Sequence, residues 1–483
     1  MILVPQLRNI RSALPLVASI ALTGCAIPGL FGAGTDPEPA VTVPDDWAES
    51  EVAPVELNIA EYWERLNDPL LTEFVEQAIA GNREIAQSVA RVAQARAQLR
   101  ASRAGYFPTL SASGGAGRNF GNGASEDVDV SLGADASWEI DLFGQISSDV
   151  AASRADLAAA GYSLADLQRL IAGQVALAVI DARSTTQQLA IARNTLGYQD
   201  ENLQIARWRN QAGLVSSLDI EQARTQRAQT AATIPALESS LTATANAIST
   251  LVGEPPGRVL VALFEPGDMP VPEQLDGYEA PPAILARRPD VRSAEASLLS
   301  AAAQVGIARA QLLPLVRLTG SVDTSSVGLD DLFDIITGNI FASISQLIFD
   351  GGRTRAQVDF AEAGVRGAQA NWELAILSAV EQVESAAVDQ RAANERVALN
   401  EEAVDAASNS ALLARSQYQA GLTDFQTLLN AENQLLSARN ALVFAQADRA
   451  GAFVRLTQAL GGGWTVQSTD THPASGATDG PRS

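Results

Sequence analysis

The sequence predicts a mainly α fold with a β-barrel part, built from one unit (helix, strand, strand, long helix, returning helix) that occurs twice. Three observations predict it. Landmarks recur in the same order at an offset close to 207 residues. Long proline-free stretches rich in alanine, leucine, glutamine and arginine keep helical spacing. One sixteen-residue segment alternates without a break between apolar and polar residues, the period of a strand.

The chain opens on Arg8 and Arg11, an apolar run from Leu14 to Ala21, and the tetrapeptide Leu22-Thr23-Gly24-Cys25. A positive start, roughly ten apolar residues and a small-residue close make a secretion leader, too short to span as a membrane helix. Residues 1–24 are therefore read as a signal peptide. Leu-Thr-Gly-Cys resembles a bacterial lipobox, in which the cysteine is acylated and becomes the new N-terminus. Cys25 is the only cysteine, so it has no partner within the chain and is read as a lipid attachment point. Ala26, standing where an aspartate would favour retention at the inner membrane, resembles lipoproteins forwarded to the outer one. Residues 25–60 hold a segment rich in proline, glycine and acid, read as a lipid-anchored linker.

The first repeat is placed at residues 61–253 and the second at 290–463. Ala97-Gln98 and Arg103-Ala104 before Pro108 match Ala303-Gln304 and Arg309-Ala310 before Pro314. Asp141-Leu142-Phe143-Gly144 stands where Phe349-Asp350-Gly351-Gly352 falls. Gln211-Ala212-Gly213-Leu214 recurs letter for letter as Gln419-Ala420-Gly421-Leu422, and Leu251-Val252-Gly253 is answered by Ala459-Leu460-Gly461. Repetition of this kind marks a duplicated structural unit.

Strands are expected at about 106–143 and 314–350. From 127 to 142 the even positions are apolar, Val128, Val130, Leu132, Ala134, Ala136, Trp138, Ile140 and Leu142. The odd face carries Asp127, Asp129, Asp135 and Glu139 among serine and glycine. In the second half Val316, Leu318, Gly320 and Val322 alternate with Arg317, Thr319, Ser321 and Asp323, and Ile340, Ala342 and Ile344 follow. Strands that cross a bilayer need about 9–11 residues, apolar outwards and polar towards a lumen. Four such strands leave open edges that lipid does not tolerate and are too few to enclose a pore. Closure by oligomerisation follows, with the four acids facing the lumen.

Between Gln145 and Asn210 there is no proline. Leu157, Leu164, Leu167, Ile171, Val175 and Ala178 keep three-and-four spacing, and the intervening alanines allow close helix approach. At 1.5 Å per residue this is a rod of roughly 100 Å. Gly213 and Gly421 suit a helix end and a chain reversal, because glycine accepts the left-handed conformation. The connector 254–289 contains eight prolines and is expected to cross outside the helices. Residues 464–483 read as a polar, disordered tail.

Composition excludes other classes. There are 33 basic residues against 56 acidic, a formal net charge of −23, and all the basic ones are arginine. Such a chain repels phosphates and is no nucleic-acid binder. A single histidine, His472, and a single cysteine leave no metal cluster and no nucleophile–base pair. Without lysine there is no phosphate-cradling Gly-rich Lys motif. No enzyme and no cofactor is expected beyond the lipid on Cys25. After the leader, no run of eighteen apolar residues occurs, so no transmembrane helix is expected.

Lipobox, duplicated halves, Gln-Ala-Gly-Leu turns and the run Leu285-Ala286-Arg287-Arg288-Pro289-Asp290-Val291-Arg292 with Ala294-Glu295 together resemble the TolC-like outer-membrane factors. The Ala-Arg-Arg-Pro-Asp-Val-Arg stretch resembles most the lipoprotein branch that serves resistance-nodulation-division (RND) pumps. The similarity covers about Trp63 to Gly463. It implies a homotrimer whose four strands per protomer close a twelve-stranded transmembrane barrel over a long helical periplasmic tunnel. It also implies a periplasmic adaptor docking at Gln211, Ala212, Gly213, Leu214 and Gln419, Ala420, Gly421, Leu422, an inner-membrane RND pump, and export of small molecules through a passive conduit.

Relatives narrow the periplasmic end with aspartates, a tyrosine and an arginine after the turns. Asp219 and Tyr418 match that pattern. Thr423 stands where an arginine is frequent, and Thr427 and Asn430 stand where aspartates are. Gln426, Asn430 and Asn433 offer a hydrogen-bonded polar ring in place of charge pairs. Two other readings use the same features. One is the outer-membrane conduit of an ATP-driven protein secretion system, and the other a structural envelope lipoprotein without a channel; conductance separates the second from the rest.

Overall fold

A computed structural model describes residues 44, 47, 60–118, 120, 128–264, 267–273, 277, 281–327 and 330–464. The leader, Cys25, most of the linker, Asp127 and the tail after Trp464 lie outside the described residues.

The duplication is visible element by element. After a 3-10 turn at Tyr62–Leu66 come α1 (Pro69–Gly81), α2 (Arg83–Ala104), β1 (Thr109–Arg118), β2 (Val128–Ile140), α3 (Gln145–Gln211) and α4 (Ser217–Val252). The connector carries α5 (Arg258–Phe264) and α6 (Pro281–Arg287). The second half repeats the plan with α7 (Pro289–Ala310), β3 (Leu315–Val327), β4 (Ile336–Ser345), α8 (Arg353–Gln419) and α9 (Phe425–Ala459). Helices α3 and α8 each have 67 residues, about 100 Å at 1.5 Å per residue.

Local chemistry sets the boundaries twice over. Each strand-to-helix turn ends on a left-handed glycine, Gly144 or Gly352, preceded by an aspartate clamp. Asp141 accepts from the Ile146 and Ser147 amides, and Asp350 accepts from the Gly352 and Thr354 amides and the Thr354 hydroxyl. These bonds satisfy orphan donors of the first helical turn and hold the Asp350 carboxyl below the usual carboxylate range.

The two halves are closed by equivalent contacts made with different side chains. Asn82 caps α2 by accepting from the Glu84 and Ile85 amides, and its amide donates to the Leu251 carbonyl at 2.8 Å. Arg288, at the corresponding position before α7, donates to the Ala459 carbonyl at 2.8 Å. It is 1% exposed and also donates to both Asp290 oxygens (3.0 and 2.6 Å) and to Gln382. Arg287 reaches the Leu460 carbonyl at 2.9 Å. The Arg-Arg-Pro-Asp run is thus a structural staple, with Pro289 starting α7 where a missing amide costs nothing.

The largest buried cluster joins the 3-10 turn, α1, the middle of α3 (Ile171 to Ala182), the end of α4, the connector and the end of α9. Trp47, from the linker, is part of it. Within it the buried pair Arg183–Asp68 (3.0 Å) ties α3 to the cap of α1. A second cluster fills the far end of the helices, built from Leu203, Tyr418, Phe425 and Leu428 among small alanines.

Two details extend the sequence reading. The proline-rich connector carries two short helices: α5 and α6 bury Val259, Leu263, Ile284 and Leu285, because the apolar residues between its prolines find a face on the core. And α3 does contain one 18-residue window apolar enough to cross a membrane by composition. Half of that window is buried in the protein, and the helix is more than three times longer than a bilayer requires. It is a core helix.

Candidate functional site

The four strands form one antiparallel sheet in the order β1-β2-β3-β4. Residues paired directly across antiparallel strands share a face, so the register sorts every side chain. Thr109 pairs with Ser137, Ser137 with Thr319, and Thr319 with Phe341. Extending this line by twos places the odd positions of all four strands on one face. That face carries Asp129, Asp135, Glu139 and Asp323 among serines and threonines, with Arg317 and Phe341 and, at the ends of β3, Leu315 and Val327. Apart from Arg118, Thr324 and Ser326 the other face is apolar, and its large side chains are bare: Leu110, Leu132, Val322, Ile336, Ile344, and Ile340 at 85%. Bare aliphatic residues on one side and acids on the other suit lipid and water respectively.

Aromatic residues sit at the ends of the strands. Trp138 donates its indole N–H to the Tyr106 carbonyl at 3.0 Å, near exposed Phe107 at the helical end. Exposed Phe120 and Phe333 flank the loops at the opposite end. Such girdles mark the two interfaces of membrane barrels. Among the described residues, strands β1 and β4 each leave one edge unpaired.

About 100 Å away along the helices, both turns end in the same motif. Leu214 donates its amide to the Arg209 carbonyl (2.8 Å) and Gly213 to Asn210 (2.9 Å); Leu422 donates to Gln417 (2.8 Å) and Gly421 to Tyr418 (3.0 Å). This is a Schellman closure, with φ of 73° at Gly213 and 76° at Gly421. Leu214, Leu218 and Leu422 are exposed around these tips.

Residues 74–254 and 280–462 match the outer membrane efflux protein family. The chain belongs to that family. Nodulation protein T of Rhizobium leguminosarum bv. trifolii is 28% identical over 456 residues, 92% of this chain and 96% of the relative. Cation efflux system protein CusC of Escherichia coli O6:H1 is 28% identical over 461 residues, covering 93% and 98%. The solved outer-membrane channel OprN superposes with a TM-score of 0.78 at 30% identity, covering 88% of this chain and 99% of that one. This outer membrane efflux protein is a channel component and not an enzyme.

The efflux protein's expected site residues are distributed as follows. Asp129, Asp135 and Glu139 share the polar strand face. Arg317 and Asp323 also belong there and were not singled out from the sequence. Arg317 lies 3.6 Å from Glu139, so it offsets that acid, whereas Asp323 adds one, its carboxylate accepting from the Ser321 hydroxyl at 2.6 Å. Their signal was present in the odd positions of β3, but only the β2–β3 register brings them beside the first-half acids.

At the helical tips Gln426 and Asn430 share a hydrogen-bonded set that Gln222 extends, while Asn433 bonds separately to Gln226. Gln426 donates to Asn430 (3.0 Å), Gln222 donates to Gln426 (3.2 Å), and Asn433 donates to Gln226 (3.4 Å). Gln222 and Gln226 of α4 were missed, although Gln222 and Asn430 stand at the same 208-residue offset as the two turns. Asp219 is half-buried and accepts from the Ser216 hydroxyl at the start of α4.

Tyr418 is corrected. Expected at an aperture, it is 2% exposed, its ring 5.4 Å from Phe425 and 4.5 Å beneath the Arg209 guanidinium. Arg209 also donates to the Tyr418 carbonyl. Burial pushes the phenol above its ordinary value, Arg209 opposes this and Asp219 reinforces it. The ring is a packing element that joins α3 to the α8–α9 hairpin. Beside it lies a node the sequence did not announce: buried Glu432 of α9 accepts from Asn202 of α3 (2.8 Å) and Arg415 of α8 (3.0 Å).

Proposed function

We propose that three copies of this chain close their sheets into a twelve-stranded barrel in the outer membrane. The long helices continue it as a tunnel through the periplasm, and small molecules pass passively along it. The observation that carries this reading is the sheet itself: one apolar face, one acidic face and two unpaired edges. Lipid does not tolerate open edges, and four strands enclose nothing. The edge strands β1 and β4 have ten residues each and run antiparallel to one another, so copy-to-copy pairing continues the alternation. Ten residues at about 3.4 Å, tilted by roughly 40°, rise about 26 Å, which matches an apolar band of ~25 Å.

The tips would dock a periplasmic adaptor that couples the tunnel to an inner-membrane RND pump, the energy coming from the pump. Exposed leucines around two rigid glycine turns support this. If so, replacing both Gly213 and Gly421 by valine should abolish efflux while leaving oligomers intact. A Cβ at Gly213 meets no atom within 4 Å, so the expected cost of about 1–2 kcal/mol per site is backbone strain alone. Asparagine, which tolerates the left-handed region better, should retain partial efflux. Full efflux in the double valine variant at normal expression would remove the tips from the mechanism.

Cys25 would carry lipid and anchor the N-terminus in the outer membrane. Cys25→Ser should leave an uncleaved precursor that takes up no labelled palmitate. Continued palmitate incorporation would overturn the anchoring.

A further inference from the structure

One aromatic side chain breaks the pattern of the sheet. Phe341 lies on the polar face, opposite Thr319, and is 62% exposed. It stands on edge strand β4, whose other large residues are Ile336, Ile340 and Ile344. The opposite edge, β1, reads Thr-Leu-Ser-Ala-Ser-Gly-Gly-Ala-Gly-Arg and is almost without bulk. We infer that Phe341 lies over Gly115 on β1 of a second copy, and that this bulky-on-small seam sets the register between protomers. The inference rests on the barrel reading above.

Three constraints select this pairing. First, joining the sheets must keep polar face to polar face, since a one-residue slip turns every side chain of a strand over. Phe341 must therefore face an odd position of β1: Thr109, Ser111, Ser113, Gly115 or Gly117. Second, an aromatic ring gains most by covering a strand glycine, which has no side chain of its own to shield the backbone, and that leaves Gly115 and Gly117. Third, the apolar faces must also fit. With Phe341 against Gly115, residues 338–345 face residues 111–118, and Ile340 meets Ala116 while Ile344 meets Ala112. With Phe341 against Gly117, Ile340 meets Arg118 and the overlap shortens. With Phe341 against Ser113, Ile344 meets Leu110 and Ile336 meets Arg118. Of the two glycine registers, only Gly115 sets large against small on both faces.

The seam is also directional. A β1 edge complements a β4 edge but not itself, so the contact is head-to-tail and generates a ring, not an isologous dimer.

The register can be read by cysteine pairs placed away from the ring. In the Gly115 register Ser343 lies directly opposite Ser113 of the next copy. Full-length protein carrying Ser113→Cys and Ser343→Cys should convert under mild oxidation from monomer to covalent dimer and trimer bands. Ser111→Cys with Ser343→Cys and Ala112→Cys with Ser343→Cys should stay monomeric on the same non-reducing gel. Cross-linking through either of the latter pairs, or through none of the three in protein that sediments as a trimer, would overturn the register. Protein that sediments as a monomer would instead overturn the barrel reading on which it rests. As a second readout, Phe341→Ser should lose trimer resistance to detergent, and Gly115→Phe should restore it by supplying the ring from the other side of the seam. A fully resistant Phe341→Ser trimer would contradict the role given to the ring.

Discussion

Arg288→Ala is expected to destabilise the helical body by about 3 kcal/mol, the lower end of the range for breaking a buried charge pair. The side chain is 1% exposed and makes four hydrogen bonds to three groups: both oxygens of Asp290, the Gln382 amide oxygen and the Ala459 carbonyl. Removing it orphans the end of α9 and leaves a carboxylate at the start of α7. Asp290 keeps partial access to water, which is why the lower end applies. The equivalent Asn82→Ala should cost about 1–2 kcal/mol, a lost helix cap plus one carbonyl partner. Acid provides a further check. Burial opposes ionisation of Asp290, but Arg288 outweighs it through hydrogen bond and charge, holding the carboxyl below its ordinary value. A lowered value contributes stability that is present above the unfolded pKa near 4 and is lost as pH falls through the folded value. Arg288→Ala should flatten that acid limb. Thermal melts by circular dichroism between pH 7 and pH 3 measure both effects; an unchanged midpoint and an unchanged acid limb would refute the staple.

The second large effect concerns the orientation of the sheet. Ala134 is central in β2, on the apolar face, between Ala112 and Val322. Ala134→Arg should cost roughly 2–4 kcal/mol per copy at the bilayer midplane and leave little protein in the outer-membrane fraction. Its immediate neighbour Asp135 faces the other way, and Asp135→Asn or Asp135→Arg should insert normally. Harmless arginine at 134 together with blocked insertion at 135 would mean that the sheet is inside out.

Much of this was legible in residues alone, for physical reasons. The strand β2 declared itself because one face must avoid water and the other must meet it, which writes a period of two over its full length. The tips were legible because only glycine closes a helix so cheaply in the left-handed conformation, and the same letters recur twice. Contacts across long sequence separations were not. Asn82 and Arg288 perform one task with unlike side chains, so no shared letter betrays them. The offset of Glu139 by Arg317 depends on a ladder register that neither strand encodes by itself. Tyr418 matched a pattern but folds under Arg209 and Phe425, because a ring at a helix end can either pack or face the solvent, and the choice lies with residues far along the chain. The prolines of the connector said only that it crosses outside the long helices, and the apolar residues between them were enough to form α5 and α6 against the core.

Whether the apolar sheet face meets lipid, and the acidic face lines a water-filled passage closed by several copies, is tested most directly by reversal potentials of purified protein in planar bilayers. Asp129, Asp135 and Asp323 outnumber the one described cation of that face, Arg317, which is itself beside Glu139. Discrete conductance steps that favour potassium over chloride are expected. The preference should weaken as salt rises, because screening acts over about 8–10 Å at moderate ionic strength, and should fall in Asp135→Asn with Asp323→Asn while assembly is kept. Silent bilayers, or steps that favour chloride, would contradict it.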